Sequence, residues 1–177
     1  LVTYASDARV DIPIRTMSEE NKTKAIKTIN DLTTRGRTNI SLGIFQAFQE
    51  IKSIVKPHTV QSIFLLTDGV ANEGICSDDG LVELSSNYLK KKRSNTNHPI
   101  TLHTFGYGQD HRSELLGELA SITKGGSYYF VEEDSAAVGT AFGDALGGVL
   151  SVVAQGINIT IRQPSGENKI LKVHHDQ

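Results

Sequence analysis

The sequence predicts an α/β protein built around a mainly parallel β-sheet. Two observations carry this expectation. Strand-like and helix-like apolar patterns alternate along most of the 177 residues, and strands separated by helices of ten or more residues imply βαβ units. The most apolar strand-like run, Ile63-Phe64-Leu65-Leu66, is continuous rather than alternating, which suits a central parallel strand covered on both faces.

The elements follow in order. Residues 1–5 read as a strand. Residues 9–14 alternate Val10, Ile12 and Ile14 with polar neighbours, the half-buried pattern. Pro13 cannot donate to a ladder, so this is an edge strand, and the short link 6–8 makes the pair an antiparallel hairpin. Ser18 caps a helix expected to reach residue 34, with Ile26, Ile29 and Leu32 inward and Gly36 ending it. A second helix starts near Ile40, carries Ile44, Phe48, Ile51 and Val55 at helical spacing, and stops at Pro57. Residues 60–66 form the central strand, 79–93 a helix, 100–105 a strand, 113–123 a helix with Leu116, Leu119 and Ile122 inward, and 128–131 a strand. A last helix, 135–153, places Val138, Phe142, Leu146, Val149 and Val153 on one stripe. The tail differs: Ile157, Ile159 and Ile161 alternate, Pro164-Ser165-Gly166 signals a turn, and Ile170, Leu171 and Val173 follow. We expect residues 1–154 to form one domain and 155–177 a β-hairpin that starts a following β module.

Composition narrows the function classes. Hydrophobic content of 38% and charged content of 21% fit an ordinary globule. A net charge of −2 gives no electrostatic case for nucleic acid or a membrane surface. No apolar run approaches the roughly 20 residues of a membrane-spanning helix. The start carries neither signal-peptide features nor an initiator Met, so the N-terminus is expected upstream. Cys76 is the only cysteine, which excludes an intrachain disulfide and a multi-thiolate metal site. Three glycosylation sequons, at Asn21, Asn39 and Asn158, fall partly where a glycan would disrupt the fold; with the lone cysteine they lead us to expect a cytoplasmic chain.

Two loci carry chemistry. In Leu65-Leu66-Thr67-Asp68-Gly69, Asp68 falls just past the most apolar strand, where open parallel sheets place their ligands. It can hold a hard cation, or it can cap the following turn. In Gly36-Arg37-Thr38-Asn39-Ile40-Ser41, Thr38 precedes a helix N-terminus. Thr38 or Asn39 can serve as an N-cap, or the helix can bring Thr38 to the face that bears Asp68. Other features point less far. Gly106-Tyr107-Gly108 follows a strand, but His111 stands where a dinucleotide loop needs its third glycine. Lys90, Lys91, Lys92 and Arg93 close a helix whose dipole they complement. His174 and His175 are adjacent in a strand and point to opposite faces. His58, His98, His103 and His111 lack ligand spacing, with His103 read as a sheet residue, and Cys76 has no basic neighbour to activate it.

The combination of G-R-T-N-I-S-L-G at 36–43 and I-F-L-L-T-D-G at 63–69 resembles the second and third elements of the metal-ion-dependent adhesion site of von Willebrand factor A domains. H-T-F-G-Y-G at 103–108 and the stretch from Gly125 to Val153 extend the likeness over about residues 1–160. These pieces are most similar to the intracellular A domains of plant RING-finger proteins. The resemblance implies a Rossmann-like three-layer fold with one antiparallel edge strand. It also implies Mg2+ or Mn2+ at the top face, Thr38 as a hydroxyl ligand, Asp68 coordinating directly or through water, and an acidic residue from a partner protein completing the shell. The family's first element, Asp-x-Ser-x-Ser at the end of an opening strand, is absent, and the chain begins at what resembles the second strand. With Thr38 and Asp68 alone, metal binding is expected to be weak or absent. Oxygen ligands without His or Cys suit a hard cation rather than zinc.

The expected function is therefore a metal-dependent protein-interaction module of a larger, multidomain protein, with no catalytic activity. Two alternatives stand beside it: a Mg2+-dependent hydrolase or phosphotransferase using Asp68, with Glu73, Asp78 or Asp79 as base, and a structural domain without metal.

Overall fold

A computed structural model describes residues 1–54, 60–93, 99–132, 135–154, 157 and 160. The first elements are short strands, β1 (Val2–Tyr4) and β2 (Ala8–Val10), paired antiparallel with Val2 opposite Val10 and Tyr4 opposite Ala8. The hairpin is as expected, but β2 stops at Val10, ahead of Pro13. Ile12 is buried beyond the ladder and Ile14 is exposed.

Helix α1 (Glu19–Asn30) begins where Ser18 Oγ accepts the amide of Asn21 at 3.4 Å, with Glu19 and Glu20 in its first turn. It ends before residue 34, and its expected inward face is not inward: Ile26 is 61% exposed, Ile29 51%, and no residue of α1 is buried. Ion pairs Lys22–Glu19 and Lys24–Glu20 lie along this helix. Two isoleucines three residues apart make too narrow an apolar stripe to seat it, and Leu32 falls past its end.

Helix α2 (Ile40–Lys52) is capped by Asn39, whose Oδ1 accepts the Leu42 amide at 3.1 Å. It buries Ile40, Ile44, Phe48 and Ile51, the helical spacing the sequence displays. The parallel sheet is β3 (Gln61–Thr67), β4 (Ile100–Tyr107) and β5 (Tyr128–Val131), in that order, joined by α3 (Asp78–Arg93) and α4 (Ser113–Ser121). On one face, Ile44, Phe48, Leu65, Leu81, Leu102, Leu116 and Leu119 form the main core, contributed by α2, α3, α4 and the sheet. On the other, α5 (Ser135–Leu150) sets Ala141 and Ala145 against Phe105 and Val131. The result is three layers.

Three expectations need correction. The hairpin is not the antiparallel edge of one continuous sheet: β1–β2 is a separate two-stranded sheet beside β3–β4–β5. Nor is β3 covered along its whole length: Leu65 is 5% exposed on one face and Phe64 packs beside Phe105 and Phe142 on the other, but Leu66, on that second face, is 47% exposed. The fully covered strand is β4, buried from Ile100 to Gly106, because it alone has a strand on each side. On α5 the buried positions are Ala141 and Ala145, with Val138 and Phe142 packed beside them, whereas Leu146 is 48% exposed and Val153 fully exposed. Val138, Ala141, Phe142 and Ala145 are the α5 residues that meet the sheet core, and the helix ends at Leu150, ahead of Val153. The hairpin expected in 155–177, with His174 and His175, lies outside the described residues, as do His58, His98, Val55 and the side chains of Lys90–Arg93.

Between β1 and β3 runs an apolar groove of about 330 Å³, lined by Val2, Tyr4, Ile44, Phe48, Ile63 and Leu65 among others. It explains the split sheet. Neither strand has a ladder partner on the groove side among the described residues, and the Tyr4 side chain reaches across it, its Oη donating to the carbonyl of Leu66 at 2.7 Å. Burial pushes the Tyr4 phenol up to about 12, and the negative charge of Asp68 acts in the same direction. An unfolded tyrosine ionises near pH 10. This contribution to stability is therefore complete below pH 10 and lost as pH rises toward 12, at ~1.4 kcal/mol per pH unit. Urea unfolding at pH 9.5 and 11.5 should show this steep fall in wild type and a flatter one in Tyr4→Phe; equal slopes would refute the assignment.

Candidate functional site

The sheet geometry brings together the two residues singled out from sequence. Asp68 follows the last residue of β3 and is exposed; Thr38 precedes the cap of α2 and is half-buried. Both line one cavity of about 260 Å³, together with Val2, Thr3, Tyr4, Leu66 and Thr67. The cavity lies outside the carboxyl end of β3, where parallel strands direct their loops.

Backbone and side-chain bonds fix these loops. Asn39, not Thr38, is the helix cap, so the capping role leaves the Thr38 hydroxyl uncommitted. Thr38 N–H donates to Asn72 Oδ1 at 2.8 Å, and Asn72 N–H donates back to the Thr38 carbonyl at 3.1 Å. Asn39 N–H donates to the Ala5 carbonyl at 2.9 Å and Arg37 N–H to Ser6 Oγ at 3.1 Å, which ties the Thr38 loop to the end of the hairpin strand. Ser41 Oγ donates to Asn39 Oδ1 at 2.6 Å and accepts the Ile75 amide at 3.2 Å. Gly74, at φ +73, lies against Asn39 and Ser41 so closely that a Cβ there would overlap Asn39 Oδ1. Asn39 is 6% exposed, so the folded chain has no room for a glycan at that sequon.

The donors fit a hard divalent cation. A carboxylate and a hydroxyl at a polar, water-accessible cavity supply oxygen ligands of the kind Mg2+ and Mn2+ take, and leave the remaining positions to water or other groups. No group of three or more His, Cys, Asp or Glu side chains that could hold a metal occurs among the described residues. Thr38 and Asp68 by themselves would supply only part of a cation's coordination shell.

The other candidates take structural places. His111 is stacked over Gly106, where any Cβ would strike its ring, and its Nε2 lies 2.7 Å from Tyr128 Oη. The imidazole therefore occupies the space a phosphate would need beside the Gly106-Tyr107-Gly108 turn. His103 is 5% exposed in β4 beside Phe64, and burial pushes its pKa down. Asp78 pairs with Arg112 at 2.6 Å. Cys76 is exposed. Asn72, Tyr4 and Thr67 were not legible as site residues. Asn72 is one polar residue in a polar loop, and its partner lies 34 positions away.

Comparisons with known proteins bear on the family and the fold. The sequence model of the von Willebrand factor type A domain matches residues 1–144. Curated relatives include the uncharacterized protein YfbK of Escherichia coli, 28% identical over 132 residues (75% of this chain and 21% of that protein). The uncharacterized protein sll0103 of Synechocystis is 30% identical over 140 residues, covering 79% of this chain and 31% of its own. The chain thus spans a fifth to a third of the length of these relatives. Among solved structures, a von Willebrand factor type A protein from Catenulispora acidiphila superposes with a TM-score of 0.66 at 16% identity, over 84% of this chain and 33% of that one. BatB from Bacteroides thetaiotaomicron gives 0.62 at 17%, over 85% and 78%. Proximal thread matrix protein 1 from the mussel byssus, solved with a zinc-occupied MIDAS motif, gives 0.59 at 21%, over 83% and 34%. At such identities the likeness shows the fold. The curated relatives are bacterial, which corrects the expected kinship with plant RING-finger proteins. Because the family model covers residues 1–144, most of its length, the chain belongs to the von Willebrand factor type A domain family.

Proposed function

We propose that this domain binds a partner protein through a divalent cation, Mg2+ or Mn2+, held in part by Thr38 and Asp68, with an acidic side chain of the partner completing the coordination. The observation that carries the reading is the convergence of Thr38 and Asp68, thirty residues apart in sequence, on one polar cavity at the end of β3. A shell with few fixed anions leaves the cation electrophilic enough to attract a carboxylate. The domain performs no chemistry itself. Of the bases a hydrolase would require, Asp78 is engaged by Arg112, and no nucleophile–base pair faces Asp68 among the described contacts. The opening strand implied by the family, with its Asp-x-Ser-x-Ser end, is proposed to fill the groove between β1 and β3 and to add the missing ligands, because a strand there would satisfy both open edges at once. The test uses the polypeptide with the residues that precede Leu1. Mn2+ should raise water-proton relaxation in a saturable way, and a glutamate-bearing peptide should lower the enhancement by displacing metal-bound water. Turnover of ATP or a phosphoester that disappears in Asp68→Ala would replace this reading with the hydrolase.

A further inference from the structure

We infer that Asn72 is the positioning residue of the site, acting on the cation through Thr38; this rests on the metal-binding reading above. Thr38 and Asp68 belong to separate loops, one ahead of α2 and one after β3. Nothing in the sheet ladder joins these loops, because β1 and β3 do not pair. Their direct connection is Asn72, four residues beyond Asp68 on the same loop. Its side-chain oxygen accepts the Thr38 amide at 2.8 Å, and its own amide donates to the Thr38 carbonyl at 3.1 Å. Two bonds to the N–H and C=O of one residue fix the position and tilt of that residue's peptide planes, and so the direction in which its side chain leaves the backbone. The bond from Ile75 N–H to Ser41 Oγ and the close seat of Gly74 against Asn39 anchor the far end of the same loop to the first turn of α2. The loop is thereby anchored beyond Asn72 by these contacts and ahead of it by β3, which ends at Thr67.

The chemistry gives this arrangement a purpose. A neutral hydroxyl offers a cation little long-range attraction and binds only when its oxygen is already in place. Asp68, charged and exposed, tolerates small displacements because Coulomb attraction falls slowly with distance. Loss of the clamp should therefore act through the Thr38 ligand and leave that of Asp68 intact. The experiment is a double-mutant cycle in the polypeptide that includes the residues preceding Leu1, with Mn2+ affinity measured calorimetrically. Asn72→Ala is expected to weaken Mn2+ about fivefold, the worth of one hydrogen bond, and to have no further effect in a Thr38→Ala background. Asn72→Leu, which keeps the size of asparagine without the acceptor, should behave like Asn72→Ala. Equal losses from Asn72→Ala in both backgrounds, or a lowered urea midpoint with unchanged Mn2+ affinity, would overturn the proposal and leave Asn72 a merely structural residue. Asp68→Ala in the same series separates the two ideas: unchanged affinity there refutes the metal site itself.

Discussion

Asp68→Ala is expected to lower Mg2+ affinity by about thirtyfold or more in calorimetric titrations of the polypeptide that includes the residues preceding Leu1. A divalent ion and a carboxylate about 4 Å apart attract by ~2 kcal/mol even at the dielectric constant of water, and direct ligation only increases the figure. Thr38→Ala should cost several-fold, since it removes a neutral donor from the same cavity. The 177-residue chain by itself offers the ion one carboxylate and one hydroxyl, so its own affinity for Mg2+ should be negligible; Mg2+ exchanges its waters reluctantly for so few ligands. Tight binding by the 177-residue chain that survives Asp68→Ala would place the metal elsewhere.

Phe48→Ala should produce the largest loss of stability, about 3–5 kcal/mol. Phe48 is 1% exposed, belongs to the main core with Ile44, Ile51 and Leu65, and stacks on Tyr88 with ring centroids 5.5 Å apart. Its replacement removes a large apolar side chain at the point where α2, α3 and β3 meet. It also lies along the wall of the groove beside β1, where the neighbouring structure is already thin. Domains of this size are stable by about 5–15 kcal/mol in total, so the variant approaches the unfolded limit, with a urea midpoint lower by more than about 1 M. The loss would reach the site as well. Asn39 caps the N-terminus of α2, and the Thr38 loop is fixed to that cap. A change in midpoint of less than about 0.3 M would mean that α2 is seated by other contacts.

The sequence by itself determined the alternation of strands and helices and the caps at Ser18 and near Ile40, and it singled out Thr38 and Asp68, which line one cavity. These are local properties: the 3.6-residue spacing of Ile44, Phe48 and Ile51, or an acidic residue with glycine after an apolar run, can be read within a short window. The tertiary structure decided what depends on which element lies beside which. Ile26, Ile29 and Leu146 have the same chemistry as buried residues, yet they are exposed, because a helix buries its stripe only where another layer meets it. Ile63-Phe64-Leu65-Leu66 reads as a strand covered on both faces, but one edge of β3 borders a groove and its outer side chain Leu66 stays half in water. Likewise, whether Thr38 caps a helix or faces Asp68 was open in the sequence. The choice was settled by Asn39, which takes the cap, and by Asn72, which holds Thr38 from the neighbouring loop. Hydrogen bonds across 34 positions leave no periodic trace in a chain, because any polar residue can make them and only the folded path of the backbone selects which one does.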